Sequence, residues 1–342
     1  MAGTLAPQVA QPLDEPEEET RRLVTAMAFI DRWGVLFLVL MMGTLSFVAQ
    51  PEVFLSERNI FNIFRQTNFY ALLALGQLIV IVTAGIDLSV GSVLALAMMT
   101  VAVLAEAGVA WPIVLLSPFI VGLGVGAING LGLTKLHMPH PFIMTLGMMF
   151  IARGVTNLIS GGVPISGLPD EVRWFGAGNF EFLGMEIPVS LVIVIITYAV
   201  VWVFLDHSRS GRHIYAIGGN PQAARVSGVG VDRTLVLAYA LCGLLAGFAG
   251  LLLAGRTNSG FPAAGQGDEL VAISAVIIGG ASFFGGRGTV LGAFAGVLVI
   301  GMLRNLLNLS GVPSFWQQVA IGVVIIAVVA FDVFRRRIAA SA

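Results

Sequence analysis

The chain has 342 residues, of which 57% are hydrophobic and only 11% carry a charged side chain. Soluble globular proteins carry charges on about a quarter of their residues, so this composition excludes a soluble protein and predicts an integral membrane protein. The net charge of −1, with no basic block, gives no indication of nucleic-acid binding. The single cysteine, Cys242, lies in an apolar run and has no partner for an internal disulfide.

The first residues are acidic and rich in proline, with Pro7, Pro12 and Pro16 between polar residues. A secretory signal peptide would need a basic segment before a short apolar core, and this segment has neither. We therefore expect residues 1–25 to form a disordered cytoplasmic tail and residues 26–342 to form the membrane domain.

Ten apolar segments follow, and most are long enough to cross a bilayer as helices. Barrel strands would be shorter and would alternate in polarity. Between the first two segments, the sequence SERNIFNIFRQ places Ile60, Phe61, Ile63 and Phe64 on one helical face, which predicts a short interfacial helix. The predicted spans are 33–49, 68–85, 88–105, 112–133, 141–159, 188–205, 234–254, 269–284, 288–304 and 315–333.

The basic residues predict the orientation, because cytoplasmic loops carry an excess of Lys and Arg. An inside N-terminus places twelve of the eighteen Lys and Arg residues on the inner side. Both termini are then cytoplasmic, the long loop 160–187 lies outside and the long loop 206–233 lies inside. The twelve are Arg21, Arg22, Arg32, Lys135, Arg209, Arg212, Arg225, Arg233, Arg287, Arg335, Arg336 and Arg337.

The two halves of the chain resemble each other weakly. AGIDLSVGS begins at Ala84 after the second span, and AGRTNSG begins at Ala254 after the seventh. Asn129 and Asn305 also occupy similar places near the ends of the fourth and ninth spans. Spans 2–5 therefore pair with spans 7–10, and an offset of five spans gives the two repeats opposite orientations. Such inverted repeats are common in transporters.

Glycines at four-residue spacing predict close helix packing. Gly122, Gly126 and Gly130 form one row, and Gly243 and Gly247 begin another, continued by Gly250. Small residues in such rows allow helix backbones to approach closely.

The inner loop contains a polar stretch, AIGGNPQAARVSGV, over residues 216–229. Asn220 is a good helix N-cap, Pro221 suits the first helical position and Gly228 suits the end. This pattern predicts a short soluble helix between two spans, with no apolar face for lipid.

The chain lacks an energy source of its own. Its single lysine, Lys135, lies in LTKLH, and no Gly-Lys-Ser/Thr phosphate loop is present. The four histidines have no metal-ligand spacing, and no nucleophile–base set is evident. We expect a transport subunit rather than an enzyme, with no cofactor or metal in this chain.

Asp87 is the best candidate for a functional charge within the spans. One interpretation is that Asp87 and Ser89 cap the third span at the inner interface; the other is that they belong to a gate or translocation pathway. Arg153 and Arg304 are expected to extend to water from the outer helix ends. Uncharged polar residues could contact a neutral solute, or could bond helices to one another. These residues are Gln77, Asn129, Thr145, Asn157, Asn305 and Asn308.

Three motifs carry a family resemblance. AIGGNPQAARVSGV, TAGIDLSVGS and FFGGRGTVLGAFAG, in this order, resemble the ribose-type permease subunits of bacterial ABC importers. The resemblance covers about residues 30–335. It implies ten spans, a dimer of permease subunits in the inner membrane, a cytoplasmic ATPase that uses the ATP, and a periplasmic sugar-binding protein that docks outside.

The resemblance also implies roles for particular residues. Arg287 would lie near the inner loop, 160–187 would contact the binding protein, and Asp87 and Ser89 match the motif after the second span. The coupling helix that engages the ATPase would comprise Gly219, Asn220, Pro221, Ala223, Ala224, Arg225, Ser227 and Gly228.

Two alternatives stay open from the sequence. An ABC permease of the same kind could carry a nucleoside, an amino acid or a signalling sugar instead of a monosaccharide. A secondary carrier that uses Asp87 for ion coupling would need no ATPase. The sequence does not identify the solute.

Overall fold

The structure is a computed structural model that describes residues 18–138 and 140–341. In the first and last helices, only the backbone is described over 18–32 and 334–341 and at 325, 328, 329, 331 and 332. The predicted tail falls largely on residues 1–17, which lie outside the described residues.

Most of the described chain is helical. The helices are α1 Glu18–Ala49, α2 Glu57–Val82, α3 Val90–Glu106, α4 Trp111–Lys135, α5 Pro141–Ser160, α6 Asp170–Ala177, α7 Val189–His207, α8 Arg209–Gly219, α9 Pro221–Val226, α10 Val231–Thr257, α11 Asp268–Ile278, α12 Val290–Leu309 and α13 Ser314–Ser341. The described residues also form four short strands: β1 Ile165–Ser166, β2 Asn179–Phe182, β3 Met185–Pro188 and β4 Ser259–Gly260.

Each of the ten predicted spans overlaps one helix: α1 to α5, α7 and α10 to α13. Among the described residues, six helices are long and apolar enough to cross a membrane: α2, α4, α5, α7, α10 and α12. Shorter apolar helices occupy Trp33–Ala49 and Val90–Glu106. The predicted all-α membrane class is therefore confirmed.

The predicted separate interfacial helix is wrong. Its residues form the first turns of α2, which runs without a break from Glu57 to Val82 after an N-cap at Ser56. The polar residues that interrupt the apolar pattern, such as Asn59 and Asn68, are buried and bonded by other helices. They are therefore stable inside one long helix.

Two further boundaries differ from the prediction. Helix α1 begins at Glu18, so its first turns lie within the segment 1–25 that was expected to be disordered. Helix α11 ends at Ile278, and the rest of the predicted span 269–284 is not helical and includes Gly280 at positive φ. Glycine adopts that backbone conformation without strain.

The core lies between α2, α3 and α10, whose apolar side chains are almost completely buried. Helices α4, α5 and α7 lie at the periphery and expose large apolar side chains such as Ile120, Leu158 and Val200. An apolar surface of this kind is suited to contact with lipid rather than water.

The two predicted glycine rows face each other between α4 and α10. A Cβ placed on Gly243 would come within 2.2 Å of the Gly122 carbonyl oxygen, and one on Gly126 within 2.2 Å of the Tyr239 carbonyl oxygen. The backbones touch here, so larger residues at these positions would separate the helices. Gly250, by contrast, contacts α3 at Leu94.

The helix contacts form two related patterns. Helix α4 packs on α10, and α12 packs on α2. Helix α3 contacts α4 and α5, whereas α11 contacts α12 and α13. Each of these contacts in one half therefore has a counterpart in the other. The counterpart is found by replacing α2, α3, α4 and α5 with α10, α11, α12 and α13, respectively, and the reverse.

Short structures cover one end of the bundle. Strands β2 and β3 form an antiparallel hairpin, and β1 pairs with β4 after α10. Helix α6 packs on α10 through Gly176 and Gly255, where a Cβ on Gly176 would come within 2.2 Å of the Arg256 backbone nitrogen. The loop 160–187 is thus fixed to the membrane domain.

Candidate coupling and translocation site

Helix α9 is bounded by the capping residues that the sequence predicted. The Asn220 side-chain oxygen accepts hydrogen bonds from the backbone N–H groups of Gln222 at 3.0 Å and Ala223 at 2.9 Å. Pro221 is the first helical residue, and Gly228 follows the helix at φ +85°. The predicted cap, start and end are confirmed.

One side of α9 is anchored and the other is free. Ala224 is buried against Ile217 and Val231. Arg225 is 70% exposed and lies 3.5 Å from the Asp232 carboxylate, a surface ion pair worth at most about 1 kcal/mol. The remaining residues of the predicted coupling helix on α9 and beyond it are exposed: Asn220, Pro221, Ala223, Ser227 and Gly228. Gly219 belongs to the end of α8.

At Gly218, the end of α8 contacts the membrane domain through backbone atoms. A Cβ on Gly218 would come within 1.7 Å of the Val82 carbonyl oxygen, at the end of α2. The same carbonyl accepts a hydrogen bond of 2.9 Å from the Gly286 N–H. Three chain segments therefore meet at Gly218, Val82 and Gly286, which we call the glycine junction.

A side-chain bond beside the glycine junction reinforces it. The Tyr215 hydroxyl of α8 donates to the Gly288 carbonyl oxygen at 2.8 Å. Burial, with a smaller contribution from Asp206, raises the pKa of Tyr215 to about 12, so its hydroxyl keeps the proton it donates at physiological pH. Arg287, between these contacts, has an exposed side chain, and its carbonyl accepts from the Ser282 N–H at 3.0 Å.

The connection between α2 and α3 leads from the glycine junction to a buried polar cluster. Asp87 is 1% exposed, and its Oδ1 accepts from the Ser89 N–H at 2.8 Å and the Ser89 hydroxyl at 2.6 Å. The Asn129 amide nitrogen of α4 lies 2.9 Å from Ser89 Oγ and 3.3 Å from Asp87 Oδ2. The Gln77 amide of α2 donates to the Asp87 carbonyl. We call Asp87, Ser89, Gln77 and Asn129 the polar cluster.

The polar cluster has spare acceptors. Gln77 Oε1 and Asn129 Oδ1 are buried and have no hydrogen-bond partner among the described residues. Thr145 of α5 and Tyr239 of α10 direct their hydroxyls at the Ile86 carbonyl, each at 3.4 Å. Four helices, α2, α4, α5 and α10, thus contact the connection before α3. A buried acceptor without a partner is unfavourable, and a bound water or solute that donates to it would remove this cost.

The structure differs from the interpretation that Asp87 and Ser89 only cap α3. Ser89 is the N-cap residue of α3 but makes no side-chain cap bond, and the carboxylate that accepts its N–H is that of Asp87. Full burial also places Asp87 away from the surface. Of the five predicted pathway residues, the structure brings together Asp87, Ser89, Gln77 and Asn129.

Asn305 lies elsewhere. Its amide pairs with that of Asn59, with Asn305 Nδ2 donating to Asn59 Oδ1 at 2.8 Å and Asn59 Nδ2 to Asn305 Oδ1 at 3.2 Å. This pair joins α12 to the start of α2, at the end of the bundle opposite the glycine junction. The offset of five spans noted in the sequence already places the ends of the fourth and ninth spans at opposite ends of the bundle.

The predicted extension of two arginines into water is wrong. The Arg153 guanidinium donates to the carbonyls of Pro262 and Ala264, both at 2.6 Å. The Arg304 guanidinium donates to the Tyr70 hydroxyl and lies 4.5 Å from the centre of the Tyr70 ring. Both guanidinium groups are therefore held by other segments of the protein, and both side chains are half-buried.

Comparison with known proteins gives a family and a set of relatives. The family described as branched-chain amino acid transport system / permease component matches residues 59–329. The ribose import permease protein RbsC of Bacillus subtilis (strain 168) is 43% identical over 299 residues, covering 87% of this chain and 90% of its own length.

Two relatives from Escherichia coli (strain K12) are similar over a comparable length. The D-allose transport system permease protein AlsC is 39% identical over 306 residues, which cover 89% of this chain and 92% of its own. The galactose/methyl galactoside import permease protein MglC is 37% identical over 314 residues, which cover 87% and 93%. No solved structure matches the chain.

These matches confirm the resemblance to ribose-type permease subunits. The family match spans most of the chain, and it includes α9, the glycine junction and the polar cluster. The protein is therefore a multi-pass membrane protein that belongs to the family of transport-system permease components.

Proposed function

We propose that this chain is the membrane-spanning permease subunit of an ABC importer that moves a monosaccharide inward. The relatives are import permeases for ribose, allose and galactose or methyl galactoside, and they match nearly the full chain. The observation that carries the proposal is α9: a capped, exposed helix fixed to the membrane domain by a backbone junction.

The energy comes from a separate subunit. The chain has no phosphate-binding loop, so ATP is bound and hydrolysed by a cytoplasmic ATPase. Helix α9 and its flanking residues, from Gly219 to Gly228, form the surface that the ATPase engages. No cofactor is needed in this chain.

Movement of α9 reaches the spans through the glycine junction. At Gly218 and Val82, the backbones of α8 and α2 are in contact, with no side chain between them to absorb a displacement. The chain continues from Val82 into the connection that carries the polar cluster. A shift of α9 therefore changes the position of Asp87 and Ser89 relative to Asn129. The polar cluster would act as a gate, because its contacts change when α9 moves. Arg287, on the exposed turn of the junction, lies on the same ATPase-facing surface.

The architecture that we propose has ten spans in two inverted repeats, α2–α5 and α10–α13. The exchange of helix contacts between these two groups supports it. Two copies of the chain form a homodimer in the bacterial inner membrane, with both termini cytoplasmic. This orientation places α9 inside and loop 160–187 outside, as the excess of basic residues favours.

The outer loop offers a surface for a periplasmic sugar-binding protein. Its β2–β3 hairpin exposes Phe180, Phe182 and Leu183 beside Glu181 and Glu186. Exposed apolar side chains surrounded by charges are typical of a protein contact surface.

A second candidate function is a carrier that uses Asp87 for ion coupling. The observation in its favour is that Asp87 is buried with no cationic side chain bonded to it among the described residues, next to two unpartnered acceptors. Uptake driven by an ion gradient in this chain alone, and lost in Asp87→Asn, would support this function instead.

The test is ATP hydrolysis and sugar uptake in proteoliposomes that contain the chain, its ATPase and a loaded binding protein. Ribose, allose and galactose are compared. We expect Arg225→Glu and Asn220→Pro to abolish ATP-driven uptake while the protein stays folded in the membrane. Arg209→Glu, an exposed charge reversal at the start of α8, is the matched control. Normal uptake in both α9 variants would overturn the coupling assignment.

A further inference from the structure

A second polar site lies at the end of the bundle opposite α9. A cavity of about 180 Å³ opens between α2, α11 and α12, beside the end of α10. A water molecule occupies about 30 Å³ in the liquid, so the cavity has room for about six waters, the scale of one small solute.

The cavity has an apolar floor and a polar rim. The floor is formed by buried side chains that include Phe69, Val271, Val297 and Ile300. The rim carries the side chains of Gln66, Tyr70, Arg256 and Arg304. Small-ligand sites commonly combine a mostly apolar lining with a few converging polar groups.

The rim residues differ in how far their hydrogen-bonding capacity is already used. Arg304 is held by Tyr70, and Gln66 donates to Asn62 at 3.0 Å through Nε2, which leaves its carbonyl oxygen free to accept. The Arg256 guanidinium has no hydrogen bond or ion pair with any residue in the part of the chain that the structure describes. A guanidinium has five N–H donors, so Arg256 and Gln66 together offer donors and an acceptor to a ligand.

The surrounding charges favour a neutral ligand. Arg256 and Arg304 are positive, but the Asp268 carboxylate at the start of α11 lies close to Tyr70 and Arg304. Asp268 and its neighbour Glu269 both lie close to Arg153. Opposite charges in similar number leave little net attraction for an anion. Donors, acceptors and aromatic surface without net charge fit a solute with several hydroxyl groups and an apolar face.

We propose that this cavity is a binding site for the transported polyhydroxy solute, a neutral monosaccharide, at the outer end of its route. The proposal rests on the proposed import function. Arg256 and the Gln66 amide hydrogen-bond to the solute hydroxyls, Phe69 and Tyr70 contact its apolar face, and Arg304 holds Tyr70 in place. The site lies at the end where the binding protein would release the sugar.

The experiment uses the full complex with its ATPase and binding protein in proteoliposomes, with ribose, allose and galactose as probes. Arg256→Met keeps an unbranched apolar stem and Gln66→Leu keeps nearly the size of the side chain, and both remove the hydrogen bonds to the solute. We expect each to lower the uptake of the transported sugar about tenfold. The ATP hydrolysis stimulated by docking of the binding protein stays as in the native complex, because α9 is untouched.

The control is Arg58→Met, an exposed arginine on α2 that does not line the cavity. A second test fills the cavity: Val297→Phe is expected to block uptake, whereas Leu291→Phe, 76% exposed on the same helix, is not. Native uptake in Arg256→Met, Gln66→Leu and Val297→Phe would overturn the site and leave the import function standing. A native complex that moves none of the three sugars would overturn the proposed function, and the site with it.

Discussion

The α-carbon of Gly218 is packed directly against the carbonyl of Val82, so that a Cβ at residue 218 would come within 1.7 Å of that oxygen and 2.5 Å of the Gly286 nitrogen. Neither neighbour is a side-chain end that could move aside; both are backbone atoms. The loop 206–233 is therefore joined to α2 by a contact that tolerates only glycine.

Gly218→Ala tests this contact. We expect the added methyl group to push α8 away from α2, to break the hydrogen bond between Gly286 and Val82 and to reduce ATP-driven uptake at least tenfold. A shift of a packed backbone costs about 1–3 kcal/mol. Uptake and ATP hydrolysis in proteoliposomes measure the effect, and continued hydrolysis without uptake would indicate lost coupling.

The control for Gly218→Ala is Gly230→Ala in the same loop. A Cβ on Gly230 meets only the Arg233 side chain, at 3.9 Å, which is an ordinary contact. We expect native uptake from this variant. An equal loss of uptake in both variants would mean that any substitution in this loop impairs transport. The glycine junction would then have no particular role in coupling.

The polar cluster predicts a difference between two substitutions of Asp87. Asp87→Asn keeps an oxygen that can accept from the Ser89 N–H and hydroxyl. Asp87→Leu removes it, leaving the Ser89 N–H and hydroxyl buried without this acceptor, while the Asn129 amide keeps only Ser89 Oγ. Each buried group left unpaired costs about 1–3 kcal/mol. We expect a clear fall in the melting temperature of the purified protein in detergent for Asp87→Leu, and a smaller one for Asp87→Asn.

Melting temperatures followed by intrinsic fluorescence or light scattering provide the measurement. If the two variants melt together, at the native temperature, the carboxylate contributes nothing to the packing of α2, α3 and α4. If Asp87→Asn is stable but transports poorly, the negative charge itself is needed during the transport cycle.

Local signals in the sequence predicted the helices and the capped α9, because both depend on neighbouring residues. Runs of apolar residues identified each of the ten segments, and Asn220, Pro221 and Gly228 defined α9 to within a residue. The cap needs no distant contact: Asn220 bonds to residues two and three positions ahead.

The sequence did not predict contacts between residues that lie far apart along the chain. Asn59 lies in a segment whose amphipathic pattern predicted an interfacial helix. Its side chain is instead hydrogen-bonded to that of Asn305, which lies 246 residues further along the chain. The polar cluster was partly predicted, since Asp87, Ser89, Gln77 and Asn129 were all candidates, but their joining required the packing of α4 on the connection before α3. The cavity was missed because its rim comes from three helices, and Arg304, taken alone, was interpreted as an arginine at a helix end.

The packing of α4 on α10 gives a final prediction. A Cβ on Gly243 would meet the Gly122 carbonyl oxygen at 2.2 Å, and an isopropyl group would force the helices apart by more than a methyl would. Gly243→Val is therefore expected to lower stability by about 1–3 kcal/mol, the cost of overpacking, and to reduce the yield of folded protein. Gly124→Val is the matched control, because nothing lies within 4 Å of a Cβ on Gly124. Size-exclusion profiles and melting temperatures of both variants in the same detergent are compared with the native protein. A Gly243→Val protein as stable as Gly124→Val would mean that α4 and α10 do not depend on backbone contact.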